Sequence, residues 1–458
     1  MRGMIAVSMS LALATACATA PGRPLLRTAP RSGTALAWVL LRPLPENFPD
    51  DTLHVARVAL VNDKGEEQVV ELSRADVTRK DPLALIARAG LAPGRFREVQ
   101  LDLAPAEHSG LTVSRLTAPV SAAIGEGQGA VLALELRWPE EGGPGAAALQ
   151  LRAEALPTPP VGVTALAVCR DDDSVAVLDK RTGALAGVVP VGRHPEGLAL
   201  DRNRRRAYVA LAGDDALQSI DLDQMRVLAR QPLRIGDEPI DAVLTPDART
   251  LLVALRGANA LSFVDTGSLS ESVRVEVGNG PRSVLLDAAG RRAYVFNTRG
   301  TSISVVDVLN RAVIATVALD AGPVRGAFNR QADRLYVLHE TAPYVTVVDV
   351  ATLAVVQRLN MSVPGTALLL DVQSDRLYVG RRDGAGLDVY DPLSLIPVDT
   401  LPLNGQVRFL AVDGDTNTLL AALADSSGVA ARALFSRAAA WQTALPGDVA
   451  YLVVAGGR

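Results

Sequence analysis

Charged side chains mark the start of short, similar segments in the second half of the chain. In chain order they are His194, Glu196, Glu238, Asp241, Arg282, Arg325, Arg408 and Asp448. Arginine can grip a carboxylate through two parallel hydrogen bonds, and the acids can hold an ammonium group, so the set predicts a site for a zwitterionic or peptide-like ligand. The alternative is that neighbouring charges pair with each other or face water, as surface charges usually do.

A second chemistry for the same residues would be hydrolysis. His194 beside Glu196 or Asp448 is the histidine–carboxylate combination that could act as a general base. A lone histidine is a weak basis for catalysis, and the sequence contains no glycine-rich phosphate loop, no GxSxG motif and no zinc-spaced cysteines. The sequence therefore favours binding over catalysis, and it predicts no catalytic residue, no metal site and no cofactor.

The segments belong to a repeat whose clearest marker is an aspartate that closes an apolar strand. These marker aspartates are Asp179, Asp221, Asp265, Asp307, Asp349 and Asp391, at spacings of 42, 44, 42, 42 and 42 residues. A period of this length with four short apolar runs inside it predicts four-stranded sheets arranged radially. Each marker precedes a turn sequence, so its carboxylate is expected to accept backbone N–H bonds there and to have no metal-binding or catalytic role.

The two ends of the repeat region indicate how the ring closes. Residues 164–191 supply strands two to four of a unit that lacks its first strand, while residues 447–454 match a first strand with no unit after it. Joining them completes a seventh sheet and removes the unpaired edges of an open ring. The sequence thus predicts an all-β chain with a seven-bladed β-propeller at 163–458, closed by a strand clasp.

The repeat also resembles a known family. The segments PEGLALD, RRAYVALA and ALQSIDL recur as PRSVLLD, RRAYVFN and SISVVDV, a pattern similar to the bacterial YVTN-type β-propeller repeat. The resemblance implies the fold strongly. It also implies an exported or surface protein with a binding role, although related seven-bladed propellers include lactonases, so the function follows only weakly from the fold.

The region before the repeats has a different pattern. Residues 34–156 contain seven short alternating runs separated by turn residues, which predict an antiparallel β-sandwich domain. Residues 81–89 could form one or two helical turns because their apolar spacing is mixed. The segment LAPGRFREVQLDL resembles the closing part of a β-sandwich domain of unknown function in bacterial lipoproteins. A stiff Pro-rich linker at 157–162 precedes the propeller.

The N-terminus has the features of an export signal. Residues 1–17 combine a short positive end with an apolar run too short to cross a bilayer. The run LALATAC resembles a bacterial lipoprotein signal, in which the cysteine, here Cys17, is acylated. A plain secretory signal cut near Ala16 or Ala20 is the alternative. Residues 18–33, rich in Pro, Gly and Arg, are typical of a flexible tether. The resemblance, including Ala18 after the cysteine, implies an outer-membrane lipoprotein held by its lipid anchor on the periplasmic or cell-surface side.

The leading hypothesis is an exported, membrane-anchored, non-catalytic binding protein of the bacterial envelope. Its propeller mouth or face would bind an unidentified envelope protein, peptide or small ligand. A lactonase-like hydrolase and a structural envelope component are the alternatives, and the net charge of −4 predicts no nucleic-acid partner. Cys169 is expected to be a buried apolar side chain and His339 a surface residue. The acidic run 171–173 is expected in a hairpin turn, since the Gly and distal Glu of a calcium loop are missing.

Overall fold

The computed structural model describes residues 35–46, 48, 51–79, 84–104, 115–137, 149–156, 164–382, 384, 386–403, 405–424, 428–445 and 447–455. The predicted export signal (1–17), the acylation site Cys17, the tether (18–33) and the Pro-rich linker (157–162) lie outside these residues. In the described part of the chain, no helix has the length and apolar character needed to cross a bilayer.

Nine strands form the N-terminal domain. They are β1 (Ala35–Leu41), β2 (Thr52–Asn62), β3 (Glu67–Leu72), β4 (Asp76–Thr78), β5 (Ala84–Leu91), β6 (Gly94–Leu103), β7 (Arg115–Ile124), β8 (Gly129–Arg137) and β9 (Gln150–Ala155). All belong to one sheet in the order β7-β6-β2-β3-β5-β1-β8-β9, with β4 paired to β2. The β1–β8 pair is parallel, and β7 lies against β9 at the far end of the sheet, so the domain is barrel-like.

An N-terminal β domain is thus confirmed, but its form differs from two separate antiparallel sheets. Strand β1 explains the difference, because it reads ALAWVLL without alternation and every residue in it is buried. Ala35, Ala37 and Val39 face the core of the domain, whereas Leu36, Trp38 and Leu40 pack against the propeller. A strand that is buried on both faces reads as a continuous apolar run. The helical turns considered for 81–89 are wrong for 84–89, which belong to strand β5 (Ala84–Leu91), while 81–83 lie outside the described residues.

Twenty-eight strands form the propeller. Its described strands are β10 (Thr164–Cys169), β11 (Ser174–Asp179), β12 (Leu185–Pro190), β13 (Pro195–Asp201), β14 (Arg206–Leu211), β15 (Ala216–Asp221), β16 (Arg226–Pro232), β17 (Pro239–Leu244), β18 (Thr250–Leu255), β19 (Ala260–Asp265), β20 (Glu271–Glu276), β21 (Pro281–Leu286), β22 (Arg292–Asn297), β23 (Ser302–Asp307), β24 (Ala312–Ala318), β25 (Pro323–Phe328), β26 (Arg334–His339), β27 (Tyr344–Asp349), β28 (Val355–Asn360), β29 (Gly365–Asp371), β30 (Arg376–Arg381), β31 (Leu387–Tyr390), β32 (Pro397–Leu401), β33 (Val407–Asp413), β34 (Thr418–Leu423), β35 (Gly428–Ala433), β36 (Ala439–Ala444) and β37 (Val449–Val454). They pair into seven antiparallel sheets of four strands, which we number as blades 1 to 7 along the chain.

Blade 1 is assembled from both ends of the propeller. Its order is β12-β11-β10-β37, and the last strand pairs antiparallel with β10, so that Val454 lies opposite Ala165 and Tyr451 opposite Val168. Pairing the two termini leaves no unpaired inner strand at the closure. The seven-bladed propeller and its strand clasp are therefore confirmed.

The propeller has two faces, which we call the mouth face and the turn face. The innermost strand of each blade begins at the mouth face, and the third strand of blades 1 to 6 ends at the turn face on its marker aspartate. Each of the six marker carboxylates accepts a backbone N–H bond from a residue two or three positions further along the chain. Asp349, for example, accepts from Ala351 and Thr352. The predicted structural role of the markers is confirmed, because each one fixes the turn that follows it.

Candidate functional site

One backbone hydrogen bond, repeated in all seven blades, builds the mouth. In each blade the residue after the second strand donates its N–H to the carbonyl of the residue that precedes or opens the innermost strand. The donor–acceptor pairs are Arg170–Asp448, Ala212–His194, Arg256–Glu238, Thr298–Gly280, Glu340–Gly322, Arg382–Pro364 and Ala424–Gln406, all between 2.8 and 3.1 Å. The mouth is therefore ringed by two sets of side chains, one from each partner.

A cavity of about 400 Å³ opens at the mouth. Its lining consists of Arg170, Arg282, Val324, Arg325, Leu338, His339, Glu340, Gly365, Thr366, Arg382, Gln406, Arg408 and Ala450. The volume falls in the usual range for small-ligand pockets. Five of the thirteen lining residues are arginines and one is an acid, so we call this cavity the arginine pocket.

Arg170 joins two carboxylates that were predicted at the mouth. One of its terminal nitrogens donates to Glu196 Oε2 at 2.6 Å, and the other contacts Asp448 Oδ2 at 3.1 Å. Asp448 Oδ1 also lies 3.1 Å from Arg408 Nε, but that contact lacks the geometry of a hydrogen bond, and Oδ1 and Arg170 Nε both stay buried without a hydrogen-bond partner among the described residues. Buried polar atoms of this kind are normally satisfied, so these two retain hydrogen-bonding capacity beside the pocket.

Among the five arginines that line the pocket, Arg282 has the least compensated charge. Within the described part of the chain it donates no hydrogen bond and forms no ion pair, although it is half-buried in the pocket wall. Burial lowers the pKa of Arg282. Glu196 opposes that shift, while the like charges of Arg170, Arg256 and Arg325 add to it. Since Glu196 is already held by Arg170, an anion entering the pocket would relieve this repulsion.

The floor of the arginine pocket is a plug across the channel. The Arg325 guanidinium lies 4.1 Å from the centre of the Phe409 ring, which in turn is 4.2 Å from the ring centre of Tyr451. Tyr451 also lies within electrostatic reach of the buried carboxyl of Asp241. Asp241, Arg325 and Phe409 come from blades 3, 5 and 7, which are not neighbours, so contacts among them span the channel. Gly197 fits beside the plug because a Cβ there would lie only 2.6 Å from the Asp241 backbone.

A bulge explains why the predicted residues fall into separate layers. Each innermost strand shifts register just after its first residue, as between Pro239 and Asp241 or between Pro323 and Arg325. Glu238 therefore stays at the rim, where it pairs with Arg256 at 3.0 Å, while Asp241 lies three residues deeper in the plug. Burial raises the pKa of Asp241, and Arg325 and backbone N–H groups oppose that shift.

The predicted residues thus meet only in part. Arg282, Arg325 and Arg408 line the pocket, and Glu196 and Asp448 contact its Arg170. His194 is exposed in a left-handed conformation (φ 49°), with its N–H donated to Asp173 at 2.9 Å. Both carboxylates proposed as its catalytic partners are bound to Arg170, so the structure forms no histidine–carboxylate pair there.

Three local predictions can be compared with the structure. Cys169 is fully buried as expected, and burial raises its pKa to about 12. The surface prediction for His339 is wrong: it is fully buried, and its ring nitrogens contact the Ala321 carbonyl and Thr346 Oγ1 at 3.1 and 2.7 Å. The acidic run lies in the turn between β10 and β11, as expected, where Arg170–Asp172 form a short 3-10 helix. The Asp173 carboxylate accepts the backbone N–H of His194 in blade 2. In the described residues, no group of three or more His, Cys, Asp or Glu side chains converges as metal ligands would.

Arg170 and Arg382 are functional candidates that the sequence reasoning missed. Both follow a second strand, and the prediction considered only innermost strands. The residue that follows the second strand also recurs mostly at intervals of 42 residues. In blades 1 to 7 it is Arg170, Ala212, Arg256, Thr298, Glu340, Arg382 and Ala424. The signal was present in the repeat, but the ion pair between Arg170 and Asp448 joins residues 278 positions apart.

Comparison with known proteins agrees with the fold. Residues 163–372 match the model of the YNCE-like beta-propeller family. Kuenenia stuttgartiensis hydrazine synthase is 19% identical over 64% of this chain and 97% of that chain, with a TM-score of 0.53. A putative 6-phosphogluconolactonase from Bacteroides uniformis is 15% identical over 64% of this chain and 99% of its own, also with a TM-score of 0.53. At these identities the likeness shows the fold alone. Among curated proteins, none matches the sequence.

Proposed function

We propose that the propeller is a binding module whose arginine pocket takes a small anionic ligand, and that the chain has no catalytic role. The observation that carries the proposal is Arg282, a half-buried guanidinium with three like-charged neighbours and no bonded partner in the described residues. A charged group in such a position is costly unless a counter-charge reaches it. A carboxylate or phosphate can supply that charge and accept paired N–H bonds.

The shape of the site favours a small ligand over a threaded chain. The plug formed by Asp241, Arg325, Phe409 and Tyr451 closes the channel below the pocket, so a ligand enters and leaves by the mouth. Val324 and Leu338 add apolar surface to the wall. The mouth acids are engaged by Arg170 and Arg256, which leaves exposed Glu340 as the lining acid for an ammonium group. An anion is therefore favoured over the zwitterion that the sequence predicted.

The place of this module in the cell is part of the proposal. The sequence of residues 1–17 and the resemblance of LALATAC to lipoprotein signals support export and acylation at Cys17. We place the protein in the bacterial envelope, where the arginine pocket would have access to envelope ligands. Mass spectrometry of the protein expressed in a bacterial host checks this, and an N-terminus that retains residues 1–16 without acyl chains contradicts it.

Calorimetric titration with inorganic phosphate and with citrate tests the binding function. The wild-type protein is expected to bind at least one of them, with affinity that falls as salt increases. Arg282→Ala should weaken binding by about tenfold or more, since hydrogen bonds to charged groups contribute roughly 1.5–3 kcal/mol. Arg205→Ala is the matched control, because Arg205 pairs with Asp223 on an exposed turn.

Two results would overturn the proposal. One is no binding of either anion by the wild-type protein at millimolar concentration. The other is equal binding by wild type and Arg282→Ala. Hydrolysis of a lactone by the wild-type protein, lost in Glu196→Gln, would instead establish an enzyme.

A further inference from the structure

The 3-10 turn Arg170–Asp172 touches both the arginine pocket and the N-terminal domain. Arg170, its first residue, lines the pocket and holds Glu196 and Asp448. Asp172, its last residue, forms an ion pair with Arg88, which stands on strand β5 of the N-terminal domain. Because both residues lie within a single turn, a rearrangement at Asp172 can reach the backbone that carries Arg170.

The Arg88–Asp172 pair is well shielded from water. The exposed fractions of the two side chains are 15% and 6%, and the second Asp172 oxygen accepts a hydrogen bond from Ser174 Oγ at 2.9 Å. Arg88 also lies close enough to Cys169, the residue before the turn, to act on its thiol electrostatically. Removing one partner of a buried ion pair leaves an unpaired charge, so the turn would rearrange if Arg88 were lost.

The arrangement is particular to blade 1. Among the described residues, the mouth turns of the other six blades contain no 3-10 helix, and the ion pair between Arg88 and a mouth turn is on blade 1. The N-terminal domain also packs on blade 1, where Trp38 and Val131 share an apolar cluster with Leu185 and Val188, although Gln128 contacts blade 2 as well. The apolar contact joins the N-terminal domain to the propeller, and the ion pair joins it to the mouth turn of blade 1.

We propose that Arg88 is a positioning residue for the arginine pocket, through which the N-terminal domain sets the affinity for anions. The inference rests on the proposed binding function. Arg88 is not among the residues that line the pocket; it acts by holding Asp172, and thereby Arg170, in place. Outer contacts that orient a binding group commonly have measurable effects on affinity.

A double-mutant cycle on the full chain tests the inference, with citrate and inorganic phosphate as probes. Arg88→Ala is expected to weaken binding about fivefold or more, at the lower end of typical coupling between sites. In an Arg170→Ala background the same change should have no further effect, because the residue through which Arg88 acts is then absent. Arg88→Lys, which keeps the charge, should recover part of the affinity.

The controls separate positioning from general damage. Arg42→Ala removes another arginine of the N-terminal domain, one paired with Glu154 inside that domain, and should leave affinity unchanged. If Arg88→Ala does not fold, Asp172→Asn breaks the same pair from the propeller side and should weaken binding similarly. Anion binding that is equal in wild type, Arg88→Ala and Asp172→Asn overturns this inference alone, whereas absence of binding by the wild type overturns the proposed function and the inference with it. Equal losses from Arg88→Ala with and without Arg170 would also overturn it.

Discussion

The mouth face and the turn face of the propeller are built from the same strands, yet they use charge in opposite ways. At the turn face, the aspartate that ends the third strand recurs in six blades, and each copy bonds backbone N–H groups of its own turn. At the mouth face, the backbone hydrogen bond recurs in all seven blades, and in blades 1 to 3 the side chain before the third strand (Asp173, Asp215 or Asn259) accepts a backbone N–H of the next blade, but the charged side chains change from blade to blade. A repeated side chain therefore indicates a structural role, and an unrepeated one is a candidate for function.

One side chain at the turn face, Lys180, is not repeated in other blades and yet has a structural role. The residue after the marker is Lys180 in blade 1, where blades 2 to 6 have uncharged residues. Lys180 is buried and contacts Asp413 and Asp415 of blade 7 at 2.8 and 2.9 Å. Its carbonyl accepts from Trp441 Nε1 at 3.1 Å. Blade 7 lacks the marker and the second-strand tyrosine, so these contacts replace the ones that join other blades, as in the bond from Tyr336 to the Pro392 carbonyl.

The largest expected effect on the turn face is from Lys180→Ala. Asp413 is fully buried, and loss of its cation should lower the free energy of unfolding by about 3 kcal/mol, as for other broken buried pairs. Anion affinity should not change, because Lys180 lies at the face opposite the pocket. Urea unfolding and citrate titration measure the two quantities. Arg181→Ala, one residue on and exposed, is the control. A loss of affinity without a loss of stability would contradict the division between the faces.

The pH dependence of stability should also distinguish the plug carboxyl of Asp241 from the marker carboxylates of the turn face. The marker carboxylates Asp349 and Asp391 have pKa values lowered by N–H and hydroxyl donors, so their stabilisation is present above the unfolded pKa and is lost as pH falls below it. Burial raises the pKa of Asp241 above its ordinary 3.8, so the folded protein takes up a proton there before the unfolded chain does. Stability contributed by Asp241 therefore rises as pH falls through its folded pKa.

The expected result is a pH-dependent difference between wild type and Asp241→Asn. As pH falls from neutral through the raised folded pKa of Asp241, the free energy of unfolding of the wild type should increase relative to the variant, by at most about 1.4 kcal/mol per pH unit. Urea unfolding at several pH values measures it. Asp349→Asn is the contrasting variant, and its difference from wild type should stay flat in this range. A flat difference for Asp241→Asn as well would show that the plug carboxyl does not titrate there.

Much of this fold follows from the sequence because the repeat is regular. The marker aspartates and the unmatched first strand at 447–454 predict seven blades and their closure. The barrel-like N-terminal domain was harder, since the parallel pairing of β1 with β8 joins segments far apart in the chain and leaves no local pattern. The apolar run of β1 did contain a signal of burial on both faces, but nothing in it names the propeller as the second partner.

The spacing of the repeats predicted only part of the site. It placed Arg282, Arg325 and Arg408 at one mouth, and they line one pocket. It could not show that a bulge puts Asp241 in a deeper layer than Glu238, because a bulge changes depth without changing spacing. The acids at the mouth are neutralised by arginines that follow second strands, Arg170 for Glu196 and Asp448 and Arg256 for Glu238, and the prediction did not consider those positions. A list of charged residues alone therefore overestimated how many carboxylates at the mouth are available to a ligand.

The smallest expected effect is from His194→Asn, and it decides whether every unrepeated mouth residue matters. His194 is exposed and uses its backbone, whose φ of 49° asparagine also tolerates, to bond Asp173 and Ala212. Citrate affinity should change by less than about twofold, within the range of neutral surface substitutions. Titration beside Arg282→Ala measures it. A tenfold loss would place the imidazole in the site and revive a role for histidine chemistry, whereas a neutral result restricts function to the side chains that reach the pocket.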